Sequence, residues 1–216
     1  MRQSCQDILV RRSIRFRNLR LSVDRTGRPV LSIPLFCPDF VARRFVSAHQ
    51  DWIRAHQPFP LKKFTDGQSL TILGQKVQIR HDPGFHGTNL QGDFLLVGGE
   101  LDFLNRRVTD FIRRRTQSYI EGKAPVLAHQ IGKTVHRITL KDTTSRWGSC
   151  SAKGNLNFCW RLGMAPLFVL DYIIAHEVAH LQEMNHGPRF WQVVAQLCDR
   201  RADAEIWLRR HGADLR

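Results

Sequence analysis

The chain has 216 residues, 42% hydrophobic and 24% charged, enough to bury a core and ordinary for a soluble globular protein. Its net charge of +14 is mostly arginine, clustered at Arg11–Arg12, Arg43–Arg44, Arg106–Arg107 and Arg113–Arg115; this favours anionic partners such as nucleic acid, nucleotides or acidic polypeptides, unless the clusters are simply solvated. No apolar run approaches the roughly 20 residues of a membrane helix. The N-terminal stretch lacks a secretory signal, and Asp7 argues against a transit peptide, so a cytoplasmic protein is expected.

In chain order, residues 13–35 predict a β-hairpin, in which SIRFRNLRLSV alternates, DRTGRP turns and VLSIPL returns. Pro38 and Asp39 open a helix with Val41, Phe45, Ala48 and Trp52 on one face, ended by Pro58 and Pro60. SLTILGQKVQIRH predicts a second hairpin turning at Gly74, and DFLLV a further strand. A long amphipathic helix follows, with Leu101, Leu104, Val108, Phe111 and Ile112 inward and the densest arginine cluster outward. The strand pattern returns in VHRITL, TTSRWGSCSAKG and NLNFCWRL, the last alternating Leu156, Phe158, Trp160 and Leu162. Pro166 fits the first position of a helix running through LFVLDYIIAHEVAHLQ, broken by Gly187–Pro188. RFWQVVAQLCDRR and ADAEIWLRRHG predict two closing helices. The expected class is α+β: a β-rich N-terminal half, then a strand–helix unit carrying histidines. No internal repeat or low-complexity linker interrupts it.

The chemistry concentrates in IIAHEVAHLQEMNH, residues 173–186. His176 and His180 are four apart, so on a helix they share one face at roughly 5–6 Å. Both imidazoles can therefore reach one Zn²⁺. Glu177 is rotated by roughly 100° and sits beside such an ion, where a general base is needed. Flanking Val169, Leu170, Ile173, Ile174, Val178 and Leu181 imply a mostly buried helix, in which uncompensated polar groups are costly. A catalytic zinc takes three protein ligands. His186, past the helix end, is preferred for the third, with the more distal Glu205 as the competing candidate or else an acceptor for a histidine N–H. The glycine that metzincins place in this turn is replaced by Glu183, so the turn must be made differently, with MNHG as its candidate. Of the other histidines, only His211 lies near in sequence. Five cysteines without a CxxC pair suit reduced thiols; a structural zinc would need Cys150 or Cys159 as fourth ligand, leaving Glu177 without a role.

RWGSCSAKGNLNFCWRL followed by LDYIIAHEVAHLQEMNHGPRFW resembles the YgjP-like metallopeptidase family, and more distantly the SprT-like and WLM zinc proteases. The resemblance is strongest over 143–210 and extends weakly upstream through RFRNLRLSVDRTGRPVLSIP, DWIRAH and DGQSLTILGQKVQI. It implies one domain over 13–214, with a β-rich part 13–95 and a catalytic, zincin-like part 96–214. It further implies zinc ligands His176, His180 and His186, Glu177 as the base, and a cleft lined by the RWGSC strand. An exposed strand edge there could hold an extended peptide by backbone pairing, with Gly148 allowing close approach and Trp147 walling a pocket or packing in the core.

The expected mechanism is zinc-assisted hydrolysis of a polypeptide, with Glu177 moving the proton from zinc-bound water to the leaving amine. The oxyanion needs a second electrophile, and Arg146, Arg161 and Arg189 are all near the motif. Two alternatives stay open. Nucleotide phosphoanhydride hydrolysis suits the positive charge, but no Gly-rich phosphate loop or carboxylate cluster supports it. A nucleic-acid-associated protease or binding module is the other.

Overall fold

A computed structural model describes residues 8–23, 29–56, 63–143 and 145–215. The chain is α+β and divides into two compact units, Met1–Lys62 and Lys63–Arg216.

In the first unit, β1 (Leu9–Ser13), β2 (Arg20–Val23) and β3 (Pro29–Pro34) form a sheet in the order β1-β3-β2. β2 and β3 are the antiparallel pair of the predicted hairpin, whose turn residues 24–28 lie outside the described residues. The alternating stretch after Ser13 is strand only from Arg20. The sheet instead gains β1, parallel to β3, which is mostly exposed and so carries no amphipathic signal. The single predicted helix is two, α1 (Asp39–Ala48) and α2 (Gln50–His56). The break falls at His49, whose ring Nδ1 donates to the Phe45 carbonyl at 2.8 Å and whose backbone leaves helical geometry. Ala42, Val46 and Ile53 are the buried residues, packed on Leu31, Ile33 and Cys37; Ala48 is exposed rather than inward. Pro58 and Pro60 lie outside the described residues.

The second unit opens with β4 (Ser69–Ile72), β5 (Gln75–Asp82), β6 (Thr88–Gln91) and β7 (Phe94–Gly98), ordered β4-β5-β7-β6. The β4–β5 turn is Leu73–Gly74, with φ of 47° and 84°. Both central residues at positive φ make the tight turn whose twist suits a hairpin, and glycine adopts it without steric cost. α3 (Leu104–Gln130) lays Leu104, Val108, Phe111 and Ile112 on Ile72, Val77, Ile79, Leu95 and Val97. Leu101, expected inward, is 59% exposed in a short 3₁₀ turn before the helix. Farther along, Ile120, Ala124, Leu127 and Ala128 enter a second core.

That second core carries the histidines. β8 (Arg137–Lys141), β9 (Gly148–Cys150) and β10 (Asn155–Cys159) form a sheet ordered β8-β10-β9, so β9 is an edge. β10 stops at Cys159 and a 3₁₀ turn follows, yet Leu156, Phe158, Trp160 and Leu162 are all buried. α4 (Leu167–Ala179), α5 (Pro188–Leu197) and α6 (Arg201–His211) complete the unit. Pro166 is the N-cap of α4, which therefore starts one residue later than expected, while Pro188 occupies the first turn of α5, where its missing N–H costs nothing. Fully buried Phe158 and Phe190 each contribute about 1.5–3 kcal/mol of apolar burial. Among the described residues no helix is long and apolar enough to cross a membrane.

Candidate metal centre

α4 is apolar nearly all round, with Val169, Leu170, Ile173, Ile174, Ala175, Val178 and Ala179 buried. A helix so enclosed holds its polar residues in fixed directions. His176 is in its last turn and His180 caps it. The chain then reverses: the Leu181 N–H donates to the Val178 carbonyl, and the Gln182 and Glu183 N–H groups both donate to that of Ala179. The Glu183 carbonyl accepts from His180 Nδ1 at 3.0 Å. These bonds make the turn that the missing glycine left open, and the Gly187 N–H closes it on the Asn185 carbonyl at 2.8 Å.

The reversal returns His186 to His176, with their Nε2 atoms 3.1 Å apart. One ligand nitrogen from each of His176, His180 and His186 lies within 4.8 Å of the others. Glu205, the competing third-ligand candidate, is held elsewhere. It accepts from Tyr172 Oη at 3.0 Å and Arg201 Nε at 2.8 Å, and it acts on His176 only as a nearby charge. His211 faces Asp214 and Trp207.

The donor set fits a metal on three observations. Burial, with help from His180 and His186, pushes His176 down to about 4, and burial also lowers His180, so both rings are neutral near pH 7 and can offer lone pairs. The His180 bond to Glu183 puts its proton on Nδ1 and frees Nε2. His176 Nδ1 is buried with no hydrogen-bond partner among the described residues, so no hydrogen bond fixes which of its nitrogens is protonated. The facing Nε2 atoms of His176 and His186 leave two ring nitrogens converging on one point, which suits a shared cation. An all-imidazole set suits zinc.

Aromatic side chains orient the rings. Phe190 is fully buried, its centroid 5.0, 4.5 and 4.6 Å from those of His176, His180 and His186. Trp191 lies 5.9 Å from His176 and 5.7 Å from His186, and the Arg201 guanidinium lies over the Trp191 ring at 3.4 Å. Tyr172, one turn before His176, meets it edge-on at 5.9 Å. None of Tyr172, Phe190 and Trp191 was singled out from the sequence. The available signal was Pro188, which marks the start of α5, the helix that carries Phe190 and Trp191.

Glu177 is 5% exposed and points at β9. A Cβ built on Gly148 would stand 2.4 Å from Glu177 Oε1 and 2.6 Å from its Cγ. The space above Gly148, expected to admit a substrate, is thus filled by the carboxyl group of Glu177. Burial pushes that carboxyl up to about 8, against a downward pull from Arg146. Burial and then Glu177 push the neighbouring Cys150 thiol up to about 11, which leaves it protonated. Trp147 is half-buried, packs against the core and lies beside Gly212. Arg161 is 3% exposed, paired with Asp142 and stacked on Trp160; its charge is satisfied in the interior, unlike that of an open cleft residue. Arg146 and Arg189 are exposed.

A YgjP-like metallopeptidase domain model matches residues 17–211, nearly the whole chain. Comparison with curated proteins and with solved structures finds no match. With a metallopeptidase domain covering both the histidine turn and the glycine strand that faces Glu177, the chain belongs to the YgjP-like metallopeptidase family.

Proposed function

We propose that this protein is a zinc-dependent metallopeptidase of zincin type, its domain spanning 13–214 and its chemistry residing in 96–214. The supporting observation is the convergence of three imidazole nitrogens within 4.8 Å beside a buried carboxyl one residue along the same helix. His176, His180 and His186 hold the ion. Zinc, when bound, supplies a Lewis acid that makes water nucleophilic near neutral pH and polarises a carbonyl.

The chain's own residues do the rest. Glu177 accepts one proton from the attacking water as the new C–O bond forms, then delivers it to the leaving nitrogen as the C–N bond breaks. A proton acceptor must be ionised, and a cation beside a buried carboxyl favours that form, as Arg146 already does. β9, unpaired on its outer side among the described residues, offers backbone groups to an extended polypeptide. The phosphoanhydride reading is disfavoured because the metal-capable group among the described residues is all nitrogen, whereas Mg²⁺ takes oxygen ligands. Net charge is the sole ground for a nucleic-acid partner.

Native metal analysis tests the site directly. About one zinc per chain is expected by the three-histidine rule, lost in His176→Ala and His186→Ala but kept in Glu205→Ala. Retention in His186→Ala with loss in Glu205→Ala would move the third ligand to Glu205. Peptide cleavage by the wild type and its absence in Glu177→Gln tests the reaction.

A further inference from the structure

A second polar feature adjoins the site. Lys141, Thr143, Arg146, Gly148, Ser149, Asn157 and Phe158 line a small cleft of about 50 Å³ where β8 ends and β9 begins. Its wall includes two cations, two hydroxyls and an amide, and no carboxylate. Among the described residues neither Lys141 nor Arg146 forms an ion pair, and Arg146 acts on the Glu177 carboxyl only as a nearby charge. The one acid in the connecting loop, Asp142, is neutralised by Arg161 beneath it. Thr143 Oγ donates to the Arg146 carbonyl at 2.8 Å and so braces the loop that carries the guanidinium. Asn157 Nδ2 donates to Ser149 Oγ at 3.2 Å, which leaves the Ser149 hydroxyl hydrogen for another acceptor.

The cleft is joined to the proposed reaction centre through Gly148, which lines it and whose Cα abuts Glu177. It also borders the β9 edge, where a bound polypeptide would run. We propose that the Lys141–Arg146 cleft is a substrate subsite for a carboxylate, either an acidic side chain or the C-terminus of the bound peptide, an inference that rests on the metallopeptidase reading. An arginine fork and a lysine ammonium match a carboxylate's two oxygens, and the Ser149 hydroxyl adds a third donor. The volume suits a carboxylate group rather than a bulky apolar side chain.

Direct binding separates this inference from catalysis. The full-length Glu177→Gln chain is titrated by calorimetry with three related peptides: one amidated with an internal glutamate, one with a free C-terminus and no acidic side chain, and one amidated and neutral. At least one carboxylate peptide is expected to bind about tenfold tighter than the neutral peptide. Which of the first two gains identifies the carboxylate's source. Adding Lys141→Gln and Arg146→Gln should bring the ratio to near one, and Arg146→Glu should favour a lysine-bearing peptide. Both side chains are exposed, so melting curves of the variants should match the parent. Equal binding of all three peptides overturns the subsite, as does a preference that survives both substitutions. Wild-type digestion of a mixed peptide library then distinguishes the two readings. Cleavage without carboxylate preference removes the subsite and leaves the peptidase. Carboxylate-selective binding with no cleavage of any peptide retains the subsite and removes the peptidase.

Discussion

Gly148→Ala tests the contact between strand and carboxyl most sharply. Gly148 has no positive φ, so alanine meets no backbone strain there, and the whole cost is steric. The new methyl would sit 2.4 Å from Glu177 Oε1 and 2.7 Å from Cδ, whereas ordinary contact begins at 3.4 Å. The carboxyl must therefore retreat by about 1 Å, or β9 must shift. Overpacking of this kind costs about 1–3 kcal/mol, which at ~2–4 °C per kcal/mol lowers the melting temperature by roughly 2–12 °C. Four of the five tryptophans lie in Lys63–Arg216, so fluorescence melts of the metal-free chain follow the relevant unit. If Glu177 is the proposed proton acceptor, a displacement of ~1 Å should also reduce peptide cleavage about 100-fold. The decisive comparison is a double-mutant cycle with Glu177→Ala, which removes the group the methyl would strike. The substitution at 148 should be much milder in that background. Additivity within about 0.5 kcal/mol would refute the claim that Glu177 is what keeps position 148 small.

Glu205→Ala should leave the Tyr172 hydroxyl unpaired, destabilising the chain by about 1–3 kcal/mol while bound zinc is retained, and Tyr172→Phe should cost less because it removes the donor itself; chemical denaturation with metal analysis checks both. In the metal-free chain, Glu177 keeps its proton to about pH 8 when folded but loses it near 4.5 when unfolded, so its stabilising contribution is present below 4.5 and is lost as pH rises through 8. Wild type should thus lose stability relative to Glu177→Gln across that window, as read from melts at successive pH values. His176 has the opposite sign: its folded value of about 4 lies below the unfolded 6.5, so stability falls as pH drops from 6.5 toward 4, and His176→Ala should flatten that limb. Zinc at a hundredfold excess over its dissociation constant should stabilise the wild type by about 2.7 kcal/mol in thermal melts, and His186→Ala should abolish most of the gain.

How much was legible in the sequence differs from element to element. α4 was plain because its apolar residues recur around a full helix, and two histidines four apart must then share a face whatever surrounds them. The β4–β5 turn was plain because Gly74 relieves a steric rule local to two residues. β1 was not, since five mostly exposed residues pairing in parallel with a distant partner carry no periodic signal. Nor was the break at His49, where one side chain competes for a helix carbonyl.

The same division runs through the site. Local geometry along one helix determined that His176, His180 and Glu177 belong together. Only the folded chain decided that His186 returns to them, since Phe190 of α5 packs against all three imidazoles while local backbone bonds hold the reversal after α4. Packing alone set Glu205 on Tyr172, brought Phe190 and Trp191 against the imidazoles, and buried Arg161 against Asp142. It likewise gave Glu177, rather than a substrate, the space above Gly148. Spacing constrains residues within one element because the backbone repeat is fixed, whereas contacts between elements depend on which surfaces the core brings together.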